Sequence, residues 1–356
     1  PAPRRDHPAA GNAHRVNLEP VGDGDPAVAL EVTGLRIHLE SADGPLPVLD
    51  GVDLRLQAGR TLCVVGESGC GKSLTALAVM GLLPIPPARL AGGRVVFEGV
   101  ELLGLDRRAM RALRGSRLAM IFQEPMTSLN PAFTIGDQLV EAIRCHQQIG
   151  RRAAEGRALE MLERVRIPAA ADRLDDYPHQ LSGGMRQRVM IAMALVNDPA
   201  VLIADEPTTA LDVTIQEQIL TLIRDLQEAR GTAVMLITHD LGVVAELGHD
   251  ALVMYAGKVV EAAPVETLFA DPQHPYTIGL LGSVPRVDAD PEPLVTIPGS
   301  VPPPNAFGSG CRFAGRCPFA IERCRAEEPP LAMLAAGHRV ACWRAPLERH
   351  VGEVAG

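Results

Sequence analysis

The chain has 356 residues, of which 22% are charged and 47% hydrophobic, and its formal net charge is −9 at pH 7. That length exceeds one typical domain of ~100–200 residues and falls short of three, with ample apolar material for a core. The acidic balance argues against nucleic acid as the main partner. No apolar run approaches the ~20 residues of a bilayer span, since the best stretch, Val189 to Ala204, is interrupted by Asn197-Asp198-Pro199.

Taken from the amino end, residues 1–27 are rich in Pro, Ala, Gly and charge and lack the apolar centre of a secretion signal. They read as a disordered leader, and the location as cytoplasmic by default. Arg60 to Val65 is a short apolar, β-branched run of the kind buried in a parallel sheet. It leads into Gly66-Glu67-Ser68-Gly69-Cys70-Gly71-Lys72-Ser73, which fits the phosphate-cradling pattern G-x-x-x-x-G-K-S, and Leu74 to Leu83 then reads as a helix. The glycines let backbone N–H groups converge on phosphates, Lys72 supplies a point charge, and Ser73 offers a hydroxyl to Mg²⁺. The start of the following helix adds its own attraction for an anion. Arg107, Arg108, Arg111, Arg114 and Arg117, mostly three residues apart on a predicted helix, read as a solvated face.

Three further apolar runs end in polar residues. Leu118 to Phe122 leads into Gln123, Ala200 to Ala204 into Asp205-Glu206-Pro207, and Ala233 to Thr238 into His239. In an α/β sheet ligands bind beyond the carboxyl ends of the strands, so these residues are expected on one edge with the phosphate loop. Asp205 suits Mg²⁺, Glu206 suits polarising the attacking water, Gln123 can reach metal or water, and His239 can touch the γ-phosphate.

These elements, with Leu181-Ser182-Gly183-Gly184-Met185-Arg186-Gln187 and the Ala210-Leu211-Asp212 loop, occur in the order of the ATP-binding-cassette (ABC) ATPases, which residues 28–285 resemble. The resemblance implies an α/β P-loop NTPase with a RecA-like core, an antiparallel β subdomain and an α-helical signature subdomain over residues 125–185. It implies ATP bound by Gly66 through Leu74 and Mg²⁺ held by Ser73, Gln123 and Asp205. It also implies that Ser182, Gly183 and Gly184 meet the γ-phosphate of a second cassette, an anion at a helix start supplied in trans. Leu39, beside His38, stands where the family usually has an aromatic residue against adenine, so weak preference for ATP over GTP is expected.

Beyond a hairpin-like turn in Tyr255 to Glu261, the chain carries His274-Pro275-Tyr276-Thr277 and a Pro-rich passage, Pro298 to Pro304, with a boundary expected near 286. Cys311, Cys317, Cys324 and Cys342 follow in residues 286–356, separated by five, six and seventeen residues. In a reducing compartment such a Cys-rich appendix is expected to bind metal, as tetrahedral Zn²⁺ or an iron–sulfur cluster. Cys63 and Cys145 read as small core residues, whereas Cys70, at a helix start, is expected to have an acidified, reactive thiol. His274-Pro-Tyr-Thr277, the cysteine tail and Met120 to Pro131 resemble the ABC subfamily serving oligopeptide and dipeptide importers. That resemblance implies a second, similar ATPase subunit, two transmembrane permease subunits at the cytoplasmic face of the bacterial inner membrane, and an extracytoplasmic peptide-binding protein. It also implies a [4Fe–4S] cluster on Cys311, Cys317, Cys324 and Cys342. A nickel or haem importer and a non-transport ABC ATPase are the alternatives.

Overall fold

The computed structural model of the protein describes residues 27–42, 44–123, 128–208, 213–283 and 297–349. Two sheets organise it. β1 (Val28–Leu39), β2 (Leu46–Gln57), β4 (Ala88–Phe97) and β5 (Val100–Glu101) form an antiparallel sheet in the order β2-β1-β4-β5. β3 (Thr61–Val65), β6 (Leu118–Ile121), β7 (Val201–Asp205) and β8 (Ala233–Ile237) run parallel in a second sheet. β9 (Asp250–Tyr255) pairs parallel with β3, and β10 (Lys258–Pro264) returns antiparallel beside it. The turn between them is Ala256-Gly257, both at positive φ, as a tight hairpin requires.

Every residue of β3, β7 and β8 is buried, because both faces of the parallel sheet are covered. Successive residues feed opposite cores, as a period of two dictates. Cys63, Val65, Leu202, Ala204, Val234 and Leu236 pack with the helical segment and the tail. Leu62, Val64, Val201, Ile203, Met235 and Ile237 pack with the antiparallel sheet and the helix Lys72–Val79.

The expected helix after the phosphate loop spans Lys72–Val79, shorter than the predicted stretch to Leu83. Gly81, at φ 60, reverses the chain, with Gly81 N–H bonding to Ala78 O and Leu82 N–H to Leu77 O. That paired closure is the usual glycine stop of a helix. Between β6 and β7 lie the helices Ile135–Arg144, Arg151–Arg164, Ala170–Arg173 and Gly183–Leu195. The arginine run falls on the helix Arg107–Leu113 and just beyond it, with Arg107, Arg108, Arg111 and Arg117 exposed as expected and Arg114 half-buried. Arg114 donates to the carbonyls of Met80 and Gly81, and Arg117 pairs with Glu98.

The tail departs from the expected separate appendix. β12 (His338–Val340) pairs with β10, and β11 (Ala332–Ala335) pairs with β12, so the carboxyl-terminal strands extend the main sheet. The edge that β10 would otherwise expose is thereby covered. Beneath it, Glu261 is fully buried, accepting from the Gln273 and His274 backbone N–H groups and facing His338 at 2.8 Å. The expected leader lies outside the described residues apart from Ala27, as does the boundary near 286. Among the described residues no helix is long and apolar enough to cross a membrane.

Candidate nucleotide site

Gly66, Gly69 and Gly71 take φ values of 149, 79 and 105, which side-chain-bearing residues rarely adopt. At two of the three the space is closed as well: a Cβ on Gly66 would stand 2.2 Å from the Met254 carbonyl oxygen, and one on Gly71 2.3 Å from Leu49 Cδ2. β9 and β2 thus shape the loop. Lys72 is 6% exposed, and its Nζ donates to the carbonyls of Gly66 at 2.7 Å and Glu67 at 3.0 Å. Ser73 and Leu74 occupy the first turn of the helix, whose initial N–H groups have no intrahelical acceptors. An anion of phosphate size suits that set of donors.

The parallel ladder brings the other strand ends to the same edge. Asp205 is level with Ile237, and Ile121 with Ala204. Asp205 is buried, and burial pushes its carboxyl up, against a lowering hydrogen bond from Ser73. Its Oδ1 has no hydrogen-bond partner among the described residues. A buried carboxylate oxygen beside a serine hydroxyl is a donor set that suits Mg²⁺. Glu206 follows at φ 48, a strained setting that re-aims its side chain, and its backbone N–H is held by Ile237 O. Gln123 Nε2 donates to Glu206 Oε2 at 3.2 Å, and His239 Nδ1 stands 3.4 Å from Glu206 Oε1. Gln123 and His239, more than a hundred residues apart, therefore converge on one carboxylate. The loop beyond Gln123, residues 124–127, and Ala210-Leu211-Asp212 lie outside the described residues.

Ser182 caps the helix Gly183–Leu195, its hydroxyl accepting from Met185 N–H at 3.3 Å. Ser182 and Gly183 are exposed, and Gly184 is half-buried. Gln187, singled out in sequence only as part of the signature, is buried and donates to Pro207 O, tying this helix to the Asp-Glu-Pro turn. Glu67 makes contacts that its loop position does not reveal: its backbone and carboxylate meet Tyr276 and Arg316. Only the tertiary fold makes those pairings, across more than two hundred residues.

Several expectations are corrected. Cys70 is fully buried, and burial pushes its thiol up despite Lys72 Nζ at 3.8 Å, so the acidified thiol is not found. Cys145 is exposed at a helix end rather than in the core. Cys311, Cys317, Cys324 and Cys342 line one enclosed space of about 10 Å³ with His274, Phe313 and Trp343. Burial pushes Cys317 up to about 12 and Cys342 up to about 11, so both carry protons. Among the described residues no group of three His, Cys, Asp or Glu side chains could hold a metal ion, and the expected zinc or iron–sulfur centre is not supported. Leu39 is half-buried against the core of the antiparallel sheet, with His38 beside it.

Residues 49–209 match the ABC transporter family. The fold resembles a dimeric ATP-binding cassette in a post-hydrolysis state bound to ADP and Pi, with TM-score 0.61 and 26% identity over 66% of this chain and 98% of that one. Fold and site together define a P-loop ATPase of the cassette kind. Residues 260–324 match the oligopeptide/dipeptide transporter C-terminal region. The chain is 54% identical over 316 residues to a probable peptide ABC transporter ATP-binding protein of Sinorhizobium fredii, covering 88% of this chain and 94% of that one. It is 48% identical to the dipeptide transport ATP-binding protein DppD of Bacillus subtilis, with the same coverage. It is also 47% identical to the oligopeptide transport ATP-binding protein AppD of that organism, over 88% of this chain and 96% of that one. The chain belongs to the ABC transporter ATP-binding proteins, in the branch of the peptide-import subunits.

Proposed function

We propose that this chain is the ATP-hydrolysing subunit that powers peptide import, and that dipeptides are among its cargo. The convergence of Gln123 and His239 on Glu206, one residue beyond Asp205, carries the hydrolytic half of this reading. The C-terminal match and the peptide-import names of the relatives support the transport half.

In this reading the backbone N–H groups of Ser68 through Leu74 and the Lys72 ammonium bind the β- and γ-phosphates. Ser73 and Asp205, with Gln123, would hold Mg²⁺, which would supply positive charge against the phosphates. Glu206 orients and polarises the attacking water while His239 touches the γ-phosphate. Ser182, Gly183 and Gly184 complete the site of a second ATPase subunit, so turnover needs two cassettes. Two permease subunits receive the movement through the helices between β6 and β7, at the cytoplasmic face of the inner membrane. A peptide-binding protein delivers the cargo from outside. The domain limits that go with it are residues 28–285 for the ATPase and 286–356 for the tail.

Reconstitution with permease subunits, a partner ATPase, binding protein and dipeptide tests the whole. Turnover should need every component. Glu206→Gln should still bind ATP but lose about 10²–10³ in rate, as expected for removing one key polar contact in a transition state. Lys72→Ala should lose productive nucleotide binding. Rapid turnover indifferent to dipeptide would move the cargo to nickel, haem or no transported ligand at all, and turnover by the Glu206 variant would remove it as the base.

A further inference from the structure

The first turn of the phosphate loop is gripped by side chains from the carboxyl-terminal third of the chain. Glu67 is engaged at three points. Its backbone N–H donates to the Tyr276 hydroxyl at 2.7 Å, its carbonyl accepts from Lys72 Nζ at 3.0 Å, and its carboxylate accepts from Arg316 at 3.0 Å. Arg316 in turn donates to the carbonyls of Ile297, Pro298 and Gly299 and to the Tyr255 hydroxyl, with its side chain only 9% exposed. One guanidinium therefore ties the tail passage 297–299 to the phosphate loop.

The grip is built on rigid parts. Tyr255 and Tyr276 are fully buried and meet edge to face at 4.7 Å, and Phe313 completes the aromatic cluster at 5.1 Å from Tyr255. Tyr276 sits at the start of a helix whose N-cap is His274, so its hydroxyl is aimed by ring packing and helix alike. Burial pushes the Tyr276 hydroxyl far up, which keeps it protonated. A guanidinium has five N–H donors in a fixed planar fork, so a partner displaced by a fraction of an ångström loses its geometry.

We propose that Arg316 and Tyr276 are positioning residues for ATP: through Glu67 they set the phosphate loop, and the tail from 297 to 316 is energetically coupled to nucleotide binding. The lysine that neutralises phosphate leans on the same residue that the tail holds. A tail displaced from Glu67 leaves the loop free to relax away from the phosphates, and bound nucleotide must by linkage tighten the tail. The inference rests on the nucleotide reading of the loop.

The test compares the full chain with Arg316→Ala, Tyr276→Phe and Glu67→Gln, measuring binding of MgATP and the split of turnover into KM and kcat. Arg316→Ala and Tyr276→Phe should each weaken ATP binding about 5- to 10-fold, at the lower end of coupling between sites, with kcat within about twofold. Glu67→Gln combined with Arg316→Ala should be no weaker than Arg316→Ala alone, because both remove one contact. Hydrogen exchange should show amides of 297–316 slowed by ATP in the unaltered chain and not in Arg316→Ala. Should that last variant fail to fold, Tyr276→Phe, which keeps the ring, and Glu67→Gln carry the comparison. Unchanged affinity in folded variants, additive losses in the double variant, or tail amides indifferent to ATP would each overturn the proposal. Failure of the unaltered chain to bind ATP would instead overturn the nucleotide reading.

Discussion

At the scale of single residues, the seven cysteines illustrate how environment overrides residue type. Cys70 occupies a helix start, where the macrodipole alone would favour a thiolate, yet its Sγ is packed beneath the loop and desolvation dominates. Cys63 is likewise buried, with its thiol pushed up to about 12. Cys145, exposed, should therefore react first with N-ethylmaleimide in the folded chain, with Cys63 and Cys70 last, as mass spectrometry of timed samples would record. Prompt loss of Cys70 would contradict its burial. For the tail thiols the same preparation is assayed for iron and acid-labile sulfide. Metal-free protein with four alkylatable tail thiols is the expected outcome, and about four of each per chain after anaerobic purification would overturn it.

At the scale of elements, the chain signals its helices and strands better than their ends. The alternation of β3, β7 and β8 between two cores left unbroken apolar runs that were readable as buried strands, and their polar terminations pointed to one edge. The helix stop at Gly81 was less legible, because the apolar pattern continues past it to Leu83. His274 shows a local motif whose energetics depend on packing. Its Nδ1 accepts from Tyr276 N–H at 3.1 Å and caps the helix Pro275–Gly282, while complete burial pushes its ring down to about 3. The unfolded chain takes up a proton near 6.5 and the folded one only near 3, so this contribution is whole above pH 6.5 and is lost as pH falls towards 3. Within that window His274 contributes a slope of about 1.4 kcal/mol per pH unit. His274→Asn retains a capping acceptor and should flatten the acid limb of a denaturation series. An unaltered slope would assign the acid sensitivity elsewhere.

At the scale of the whole molecule, the exposed Ser182 and Gly183 bear on the proposal that this chain completes a second subunit's site. A Cβ at Gly183 would meet nothing within 4 Å, so Gly183→Asp should leave the thermal midpoint and the chain's own ATP affinity unchanged. A carboxylate there should repel the partner-bound phosphate and cut turnover of the assembled transporter by about 10²-fold or more, the scale of a lost charge-stabilising contact. Loss of ATP affinity in the isolated chain would instead make the signature act within one subunit. Sequence by itself determined the phosphate loop, the polar strand ends, the signature helix start and the class of ATPase, because each depends on residue spacing along a strand, turn or helix. Tertiary structure alone decided that β12 closes the edge of β10, that Gln123 and His239 meet at Glu206, that Cys70 is buried, and that Arg316 and Tyr276 reach Glu67. Those outcomes depend on which surfaces are removed from water together and which distant groups then find partners, and neither quantity is encoded in local spacing.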